Sequence, residues 1–165
     1  GNTPVYLTGV KDFYMNIHEN NTDHLDAFIR LNEQWIAHYF EIEDSDRALA
    51  ANPAGVIERG GYIFSLEVAG EVVGVCALFN EGEGRYELAR MAVCPENQGK
   101  GYGDVLMETA LAKLREMGAV KVHLLSNTLL AAALSLYRKH GFETVSREQH
   151  PVYQRCDIVM AQWLS

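Results

Sequence analysis

Three glycines at alternate positions mark the most informative segment of this sequence, Gln98-Gly99-Lys100-Gly101-Tyr102-Gly103. Because glycine has no side chain, backbone N–H groups in such a segment can converge on an anion without obstruction. Residues 102–117 follow with the apolar spacing of a helix, whose first turn adds free N–H groups and the positive end of its dipole. The segment predicts a binding site for a phosphate or diphosphate. A plain tight turn is the alternative.

Two well-known phosphate-binding motifs do not fit this segment. A P-loop needs Lys-Ser or Lys-Thr after its last glycine, whereas Gly103 is followed by Asp104. The dinucleotide fingerprint needs G-x-G-x-x-G in a βαβ unit at the start of the domain, and here the segment comes late in the chain. A generic nucleotide-binding α+β domain, which would bind ATP or NAD, remains an open interpretation.

The elements that must position the segment follow from apolar periodicity and from turn residues. Antiparallel strands come first and two helical crossovers later, so we predict an α+β fold in three layers, with a mixed central sheet and about four helices. The predicted elements are a strand within Val10–Ile17, a helix that starts at Asn21 or Thr22 and runs past Ile36, a short helix from Asp44 or Ser45 to Ala51 that Asn52-Pro53 stops, a hairpin of Tyr62–Val68 and Val72–Phe79, a strand Arg85–Cys94, a helix Tyr102–Met117, a strand Val120–Leu125, a helix Leu129–His140, and a final pair of strands Phe142–Arg147 and Tyr153–Ala161.

The composition is that of an ordinary globular protein, and we predict one domain over residues 1–165, with Gly1 resembling the remnant of a cleaved tag. The net charge of −8 argues against a nucleic-acid binder. No apolar run is long enough for a membrane span, and no signal peptide is visible. Three separated cysteines without CxxC spacing, and six histidines without ligand spacing, predict a cytoplasmic protein without a metal site.

The glycine segment matches the Q/R-x-x-G-x-G/A signature of the GNAT superfamily of N-acetyltransferases. The preceding Leu88–Val93 resembles the fourth strand of that family, and Leu136–Phe142 resembles its Leu-Tyr-x-x-x-Gly-Phe motif. The resemblance implies a GNAT fold in which the fourth and fifth strands splay apart. It also implies acetyl-CoA as co-substrate, a small-molecule or peptide amine as acceptor, and direct transfer without an acyl-enzyme. A GNAT-fold module that senses acyl-CoA without turnover is the alternative, and a homodimer is favoured.

The resemblance also assigns site residues. Main-chain N–H groups of Gly99, Lys100, Gly101, Tyr102, Gly103 and Asp104 would bind the CoA diphosphate, with Gln98 bracing the turn. Met91, Ala92 and Val93 would pair with the pantetheine arm as an added strand does. Asn127 would either contact the pantetheine or cap the helix that follows it. Tyr137, whose helical face also suits a core tyrosine, would protonate the leaving thiolate.

An alkylammonium must lose a proton before it can attack, which makes a general base useful. Glu87 lies at the spacing at which some family members carry a glutamate base, and a strand glutamate paired across the sheet is the alternative. A route in which Cys94 acts as nucleophile is less favoured than direct attack by the amine. The acidic residues Glu41, Glu43, Asp44 and Asp46 either attract a cationic acceptor or form a solvated loop. His18, His38 and His150 either line the acceptor site or serve as surface or core side chains.

Overall fold

The computed structural model describes residues 2–6 and 14–165, and its elements follow the predicted order with two additions. The strands are β1 Asn2–Tyr6, β2 Tyr14–Glu19, β3 Tyr62–Val68, β4 Glu71–Gly82, β5 Arg85–Val93, β6 Lys121–Ser126, β7 Glu143–Ser146 and β8 Ile158–Trp163. The α-helices are α1 Leu25–Tyr39, α2 Asp44–Ala51, α3 Ala54–Glu58, α4 Tyr102–Glu116 and α5 Ala131–Lys139. Short 3-10 turns at Thr22–His24 and Pro95–Asn97 lead into α1 and into the glycine segment.

All strands of the described ranges form one sheet in the order β1-β2-β3-β4-β5-β6-β8-β7. Neighbouring strands are antiparallel except β5 and β6, which are parallel and are connected through α4. The predicted mixed sheet is therefore confirmed. Its parallel pair lies where the helical crossover requires it, since parallel neighbours cannot be joined by a tight turn.

Side chains on the two faces of the sheet belong to two separate cores, which confirms the three-layer arrangement. On one face, Phe64 and Leu78 pack with Leu106 of α4 and with Leu134 of α5. On the other face, neighbouring strand residues pack against α1 and α3, in a cluster of Phe28, Leu31, Val56, Ile63, Val75 and Ala77. The alternation of strand residues between these cores is the period of two that predicted β3 and β4.

Two elements of the structure, β1 and α3, were not predicted from the sequence, and the last strand is shorter than predicted. β1 pairs with β2, whereas the strand predicted within Val10–Ile17 coincides with β2 only from residue 14, its earlier residues lying outside the described ranges. Helix α3 begins directly after Pro53, where we had expected the chain to leave helical structure. Residues 153–157 were predicted as strand and are not, because Arg155 there turns towards an ion pair with Asp46.

Among the residues that the structure describes, none of the helices combines the length and the apolar character that a bilayer crossing needs.

Candidate active site

A cleft opens in the middle of the sheet because β5 and β6 pair over only three residues. Their parallel register runs from Arg85 opposite Lys121 to Glu87 opposite His123, and the strands then separate. The predicted splaying is thus present. The cleft beyond Glu87 has an apolar and aromatic floor from α1 and walls from both strands, from α5 and from the segment before β8; its lining includes Trp35, Ile36, Phe40, Glu87, Arg90, Met91, Ser126, Asn127, Tyr137, Tyr153 and Arg155.

A β-bulge in β5 shapes the wall of this cleft. Val75 of β4 pairs with Ala92, and Ala77 pairs with Ala89, so Arg90 and Met91 together lie opposite one residue of β4. Arg90 has a φ of 60°, in the left-handed region that a long side chain rarely adopts. Because a bulge turns one peptide out of the ladder, the backbone here is available to the cleft rather than to β4.

The strand edge that faces the cleft after the bulge carries the predicted pantetheine residues. The N–H of Cys94 donates to Val73 of β4 at 2.8 Å. Because hydrogen bonds alternate between the two edges of a strand, the N–H and C=O groups of Met91 and Val93 turn towards the cleft, whereas those of Ala92 turn towards β4. The Ala92 side chain is buried in the α1-side core. The carbonyl of Val93 already accepts from Gln98, and the other groups of this edge are available to an extended, amide-bearing ligand.

The glycine segment presents a run of free N–H groups. In the described part of the chain, the N–H groups of residues 99–104 have no acceptor, and the helical ladder of α4 starts with the N–H of Val105 donating to Gly101 at 3.2 Å. Gly99 and Gly101 have φ values of 77° and 82°, and a Cβ added at either position would meet nothing within 4 Å. The backbone is therefore bare on the side where an anion would approach.

The side chains of the segment brace it from behind. The amide Nε2 of Gln98 donates to Val93 at 3.2 Å, which ties the turn to the end of β5. Tyr102 is buried in the core, so only its backbone is available to a ligand. Asp104 accepts from Lys139 Nζ at 2.9 Å and lies 2.7 Å from His140 Nε2; these bonds, with that from Lys139 the stronger, lower its pKa. Its charge is thus compensated by the end of α5. Lys100 is exposed.

Glu87 lies at the vertex of the cleft, at the last paired position of β5. Burial raises its pKa to about 7, the neighbouring charge of Glu81 adds to this effect, and the charge of Arg90 opposes it. His123 lies between the two glutamates, with Nδ1 3.2 Å from Glu81 Oε1 and Nε2 4.0 Å from Glu87 Oε1. A carboxyl group with this pKa is half ionised near neutrality, which suits a general base.

Tyr137 of α5 lines the cleft while its ring also packs against the core. The ring lies edge-on to Phe142, with the centroids 6.3 Å apart. Burial, together with the nearby Cys76, raises the pKa of Tyr137 to about 12. The phenol therefore keeps its proton at neutral pH, as a proton donor must.

Asn127 lines the cleft, but its side-chain amide is already hydrogen-bonded within the protein. Its Nδ2 donates to the carbonyl of Arg155 at 2.9 Å, and its Oδ1 accepts from the N–H of Leu129 at 2.9 Å. The second bond stabilises the turn before α5. The N-cap of α5 is Leu130 and no side chain of the described ranges caps this helix, so the helix-capping alternative for Asn127 is wrong. The Asn127 side chain keeps one amide hydrogen and one oxygen lone pair for a pantetheine contact. That contact remains a prediction.

A buried ion-pair network, which was not predicted from the sequence, lies in the wall of the cleft where Arg90 and Arg155 line it. Asp46 of α2 accepts from Arg155 at 2.6 and 2.7 Å and also pairs with Arg90. Burial alone would raise the pKa of Asp46, but these arginines and the backbone N–H of Glu43 lower it to about 2. The sequence carried no local signal for this network, since Asp46 and Arg155 are 109 residues apart.

The same network limits the acidic cluster that we had expected to attract a cationic acceptor. Glu43 accepts from Arg155 at 3.0 Å, and Asp44 pairs with Arg47 at 2.7 Å. Together with Asp46, three of the four carboxylates are therefore compensated by arginines. This compensation disfavours the prediction that the acidic cluster attracts a cationic acceptor.

The histidines and the cysteine singled out in the sequence have local structural roles. His18 is buried, His38 packs edge-on against Tyr39, and His150 accepts from the N–H groups of two following residues. Among the described residues that line the cleft, none is a histidine. Cys94 donates to Glu96 Oε2 at 2.6 Å, and partial burial together with this bond raises its pKa, which disfavours a nucleophilic thiolate.

Comparison with known proteins is consistent with this geometry. Residues 59–144, which span the sheet from β3 through the glycine segment to β7, match the family described as Acetyltransferase (GNAT) domain. A mycothiol acetyltransferase of Propionibacterium freudenreichii is 25% identical over 134 residues, which are 76% of this chain and 42% of that protein. N-acetyltransferase 8 of Rattus norvegicus is 28% identical over 91 residues, which are 52% of this chain and 41% of that protein. The chain thus spans about two fifths of the length of these curated relatives.

Solved structures resemble the whole fold. The ribosomal-protein-S18-alanine N-acetyltransferase of Escherichia coli has a TM-score of 0.73 at 25% identity, over 92% of this chain and 94% of that one. A GNAT acetyltransferase of Staphylococcus aureus has a TM-score of 0.81 at 17% identity, over 92% and 99%. The spermidine N-acetyltransferase of Vibrio cholerae, in complex with CoA and spermine, has a TM-score of 0.68 at 21% identity, over 91% and 95%. The last two likenesses concern the fold alone.

Proposed function

Because the chain belongs to the GNAT acetyltransferase family, we propose that it transfers an acetyl group from acetyl-CoA to a primary amine of a small molecule or peptide, by direct attack in a ternary complex. The observation that carries the proposal is the continuity of the site. The free N–H groups of residues 99–104 lead along the open edge of β5 into the cleft that holds Glu87 and Tyr137. An extended donor fits such a path.

The bare backbone of the glycine segment suits the donor's diphosphate. Each hydrogen bond to a charged group contributes roughly 1.5–3 kcal/mol, and the first turn of α4 adds its dipole. Met91 and Val93 would pair with the pantetheine, which directs the thioester towards the vertex of the cleft. The backbone at the bulge would donate a hydrogen bond to the thioester oxygen as negative charge develops there. Acetyl-CoA supplies the activated acetyl group itself.

Glu87 and Tyr137 divide the proton transfers between them. Glu87 accepts a proton from the acceptor ammonium, which leaves a neutral amine to form the new C–N bond. As the C–S bond breaks, Tyr137 donates its hydroxyl proton to the leaving sulfur. The nitrogen then loses its second proton, which returns to the oxygen of Tyr137, while the proton held by Glu87 is released to water. The overall products are an acetylated amine, CoA and one released proton. No covalent bond to the protein is needed, so Cys94 has no chemical role.

A screen for release of free CoA tests this function directly. The chain would be incubated with acetyl-CoA and, in turn, spermidine, an amino sugar, a lysine peptide and a peptide that begins with alanine, with mass spectrometry of each acceptor. We expect at least one acetylated product, sequential kinetics and full turnover by Cys94→Ala. Ping-pong kinetics would contradict direct transfer. Tight binding of acetyl-CoA without CoA release from any amine would favour the sensor alternative.

Tyr137→Phe is expected to lower kcat about 100-fold, because the variant cannot protonate the leaving thiolate. The acetyl-CoA Kd and the thermal midpoint should change little, since the ring and its contact with Phe142 remain. Tyr62→Phe is the matched control, because Tyr62 is a partly buried tyrosine that stacks on Phe64 outside the cleft. An unchanged kcat in Tyr137→Phe would remove this residue from the mechanism.

We also propose a cytoplasmic location, which the three unpaired cysteines support, and a homodimer, which gel filtration would test.

A further inference from the structure

We propose that His18, His24 and Glu67 form a binding site for a divalent metal ion of the zinc type, separate from the acetyl-transfer cleft. The three residues come from β2, from the turn before α1 and from β3. One ligand atom of each lies within 4.8 Å of the others. Two imidazoles and a carboxylate are a ligand set that suits Zn²⁺, with a fourth position left for water.

The distances within the cluster fit a shared ion better than they fit direct bonds. His18 Nε2 lies 3.7 Å from Glu67 Oε1, and His24 Nε2 lies 3.8 Å from Glu67 Oε2. Both are longer than a hydrogen bond. Ligands bound at about 2.0–2.2 Å in a tetrahedron lie roughly 3.3–3.6 Å apart, so a small closure of the three side chains would complete the site.

His18 has a buried ring nitrogen that lacks a hydrogen-bond partner among the described residues. The atom is Nε2, and the His18 side chain is only 7% exposed. A buried polar atom that has lost water and gained nothing destabilises the fold. An ion between Nε2 and the Glu67 carboxylate would compensate this atom.

His24 is already oriented as a metal ligand would be. Its Nδ1 lies 2.7 Å from Ser65 Oγ, which leaves Nε2 directed at the cluster. Burial and the neighbouring His18 lower the pKa of His24, and the charges of Glu67 and Asp23 oppose this effect. Side-chain exposures of 14% for His24 and 25% for Glu67 leave a route in from solvent.

Asn21 is the contact that must change when the ion binds. Its Nδ2 lies 3.1 Å from His18 Nδ1, and its Oδ1 accepts from the N–H of Asp23 at 3.0 Å. A metal on Nε2 places the proton of His18 on Nδ1, which then needs an acceptor instead of an amide N–H. Asn21→Asp provides a carboxylate that accepts from both groups, as carboxylates behind metal-bound histidines do. This variant should therefore bind the ion more tightly.

Calorimetry with Zn²⁺ on the untagged chain, with the visible spectrum of added Co²⁺ as a second readout, tests the site. We expect one ion per chain, a higher thermal midpoint with Zn²⁺, affinity lowered by about 100-fold in His24→Gln and Glu67→Gln, and affinity raised about tenfold in Asn21→Asp. His38→Gln is the matched control, because His38 is an exposed histidine outside the cluster.

Two results would overturn the site: no saturable binding by either the original chain or Asn21→Asp, or binding that His24→Gln leaves intact. Circular dichroism without metal identifies a variant that fails to fold, and Asn21→Asp then decides alone. The outcome does not depend on acetyl transfer, so it leaves the proposed function untouched.

Discussion

Replacing Glu87 by glutamine is expected to lower kcat/KM for amine acetylation roughly 1,000-fold at pH 8, within the range found for lost general bases. The pKa of Glu87 is raised to about 7, so activity of the original chain should rise as pH passes through 7 and then level off. This rise around pH 7, the activity limb, should vanish in Glu87→Gln. The residual rate of the variant should instead keep rising with the free-amine fraction of the acceptor. Initial rates between pH 5.5 and about 9 measure both effects.

Stability measurements separate this loss from unfolding. A carboxyl group whose pKa is raised in the folded state binds more protons folded than unfolded, so it destabilises the protein as pH rises between its unfolded value and 7. Glu87→Gln should therefore melt at a higher temperature than the original chain at pH 8, with little difference near pH 4. Glu81→Gln is the matched control, and it should shift the activity limb to lower pH because the charge of Glu81 raises the pKa of Glu87. A limb that persists in Glu87→Gln would assign the base elsewhere.

Gly101→Val is expected to weaken acetyl-CoA binding about 100-fold, since losing one or two charged hydrogen bonds costs roughly 1.5–3 kcal/mol each. Gly101 has a φ of 82°, which a β-branched residue tolerates poorly. A Cβ at this position would meet nothing within 4 Å, so the new side chain would occupy the space beside the free N–H groups. Titration calorimetry with acetyl-CoA measures the effect.

Gly118→Val is a control with the same strain and no ligand. Gly118 lies just beyond the C-terminus of α4 with a φ of 72°, and a Cβ there also meets nothing within 4 Å. Both valine variants should lose similar amounts of stability, and only Gly101→Val should lose affinity. Equal acetyl-CoA affinities in the two variants would show that the diphosphate binds elsewhere.

The parts of the site that the sequence predicted are those that local residues determine. The glycine segment, its helix and the apolar alternation of β3 and β4 depend on neighbours along the chain, and the structure places them as expected. Helix α3 could have been found, because a proline often lies at a helix start, whereas we interpreted Pro53 only as a stop.

Other features depend on contacts that no local pattern encodes. The ion pairs of Asp46 join residues 44 and 109 positions away. His18, His24 and Glu67 meet only because β2 pairs with β3. The strand predicted from Tyr153 starts only at Ile158, and here too a distant contact is involved. The alternation of residue types predicts a strand over residues 153–157, but Arg155 there pairs with the carboxylate of Asp46.

The carboxylate of Asp46 joins two parts of the protein that would handle different reactants. Through Arg90 it holds the bulge of β5, and through Arg155 it holds the segment before β8, to which the side chain of Asn127 is hydrogen-bonded. A displacement of α2 on binding a bulky acceptor would therefore be transmitted to the backbone of the bulge, for which we propose a hydrogen bond to the thioester oxygen. Among homologous chains, substitutions in α2 would then change the preferred acceptor and the rate of acetyl transfer together, while the residues that bind CoA stay the same.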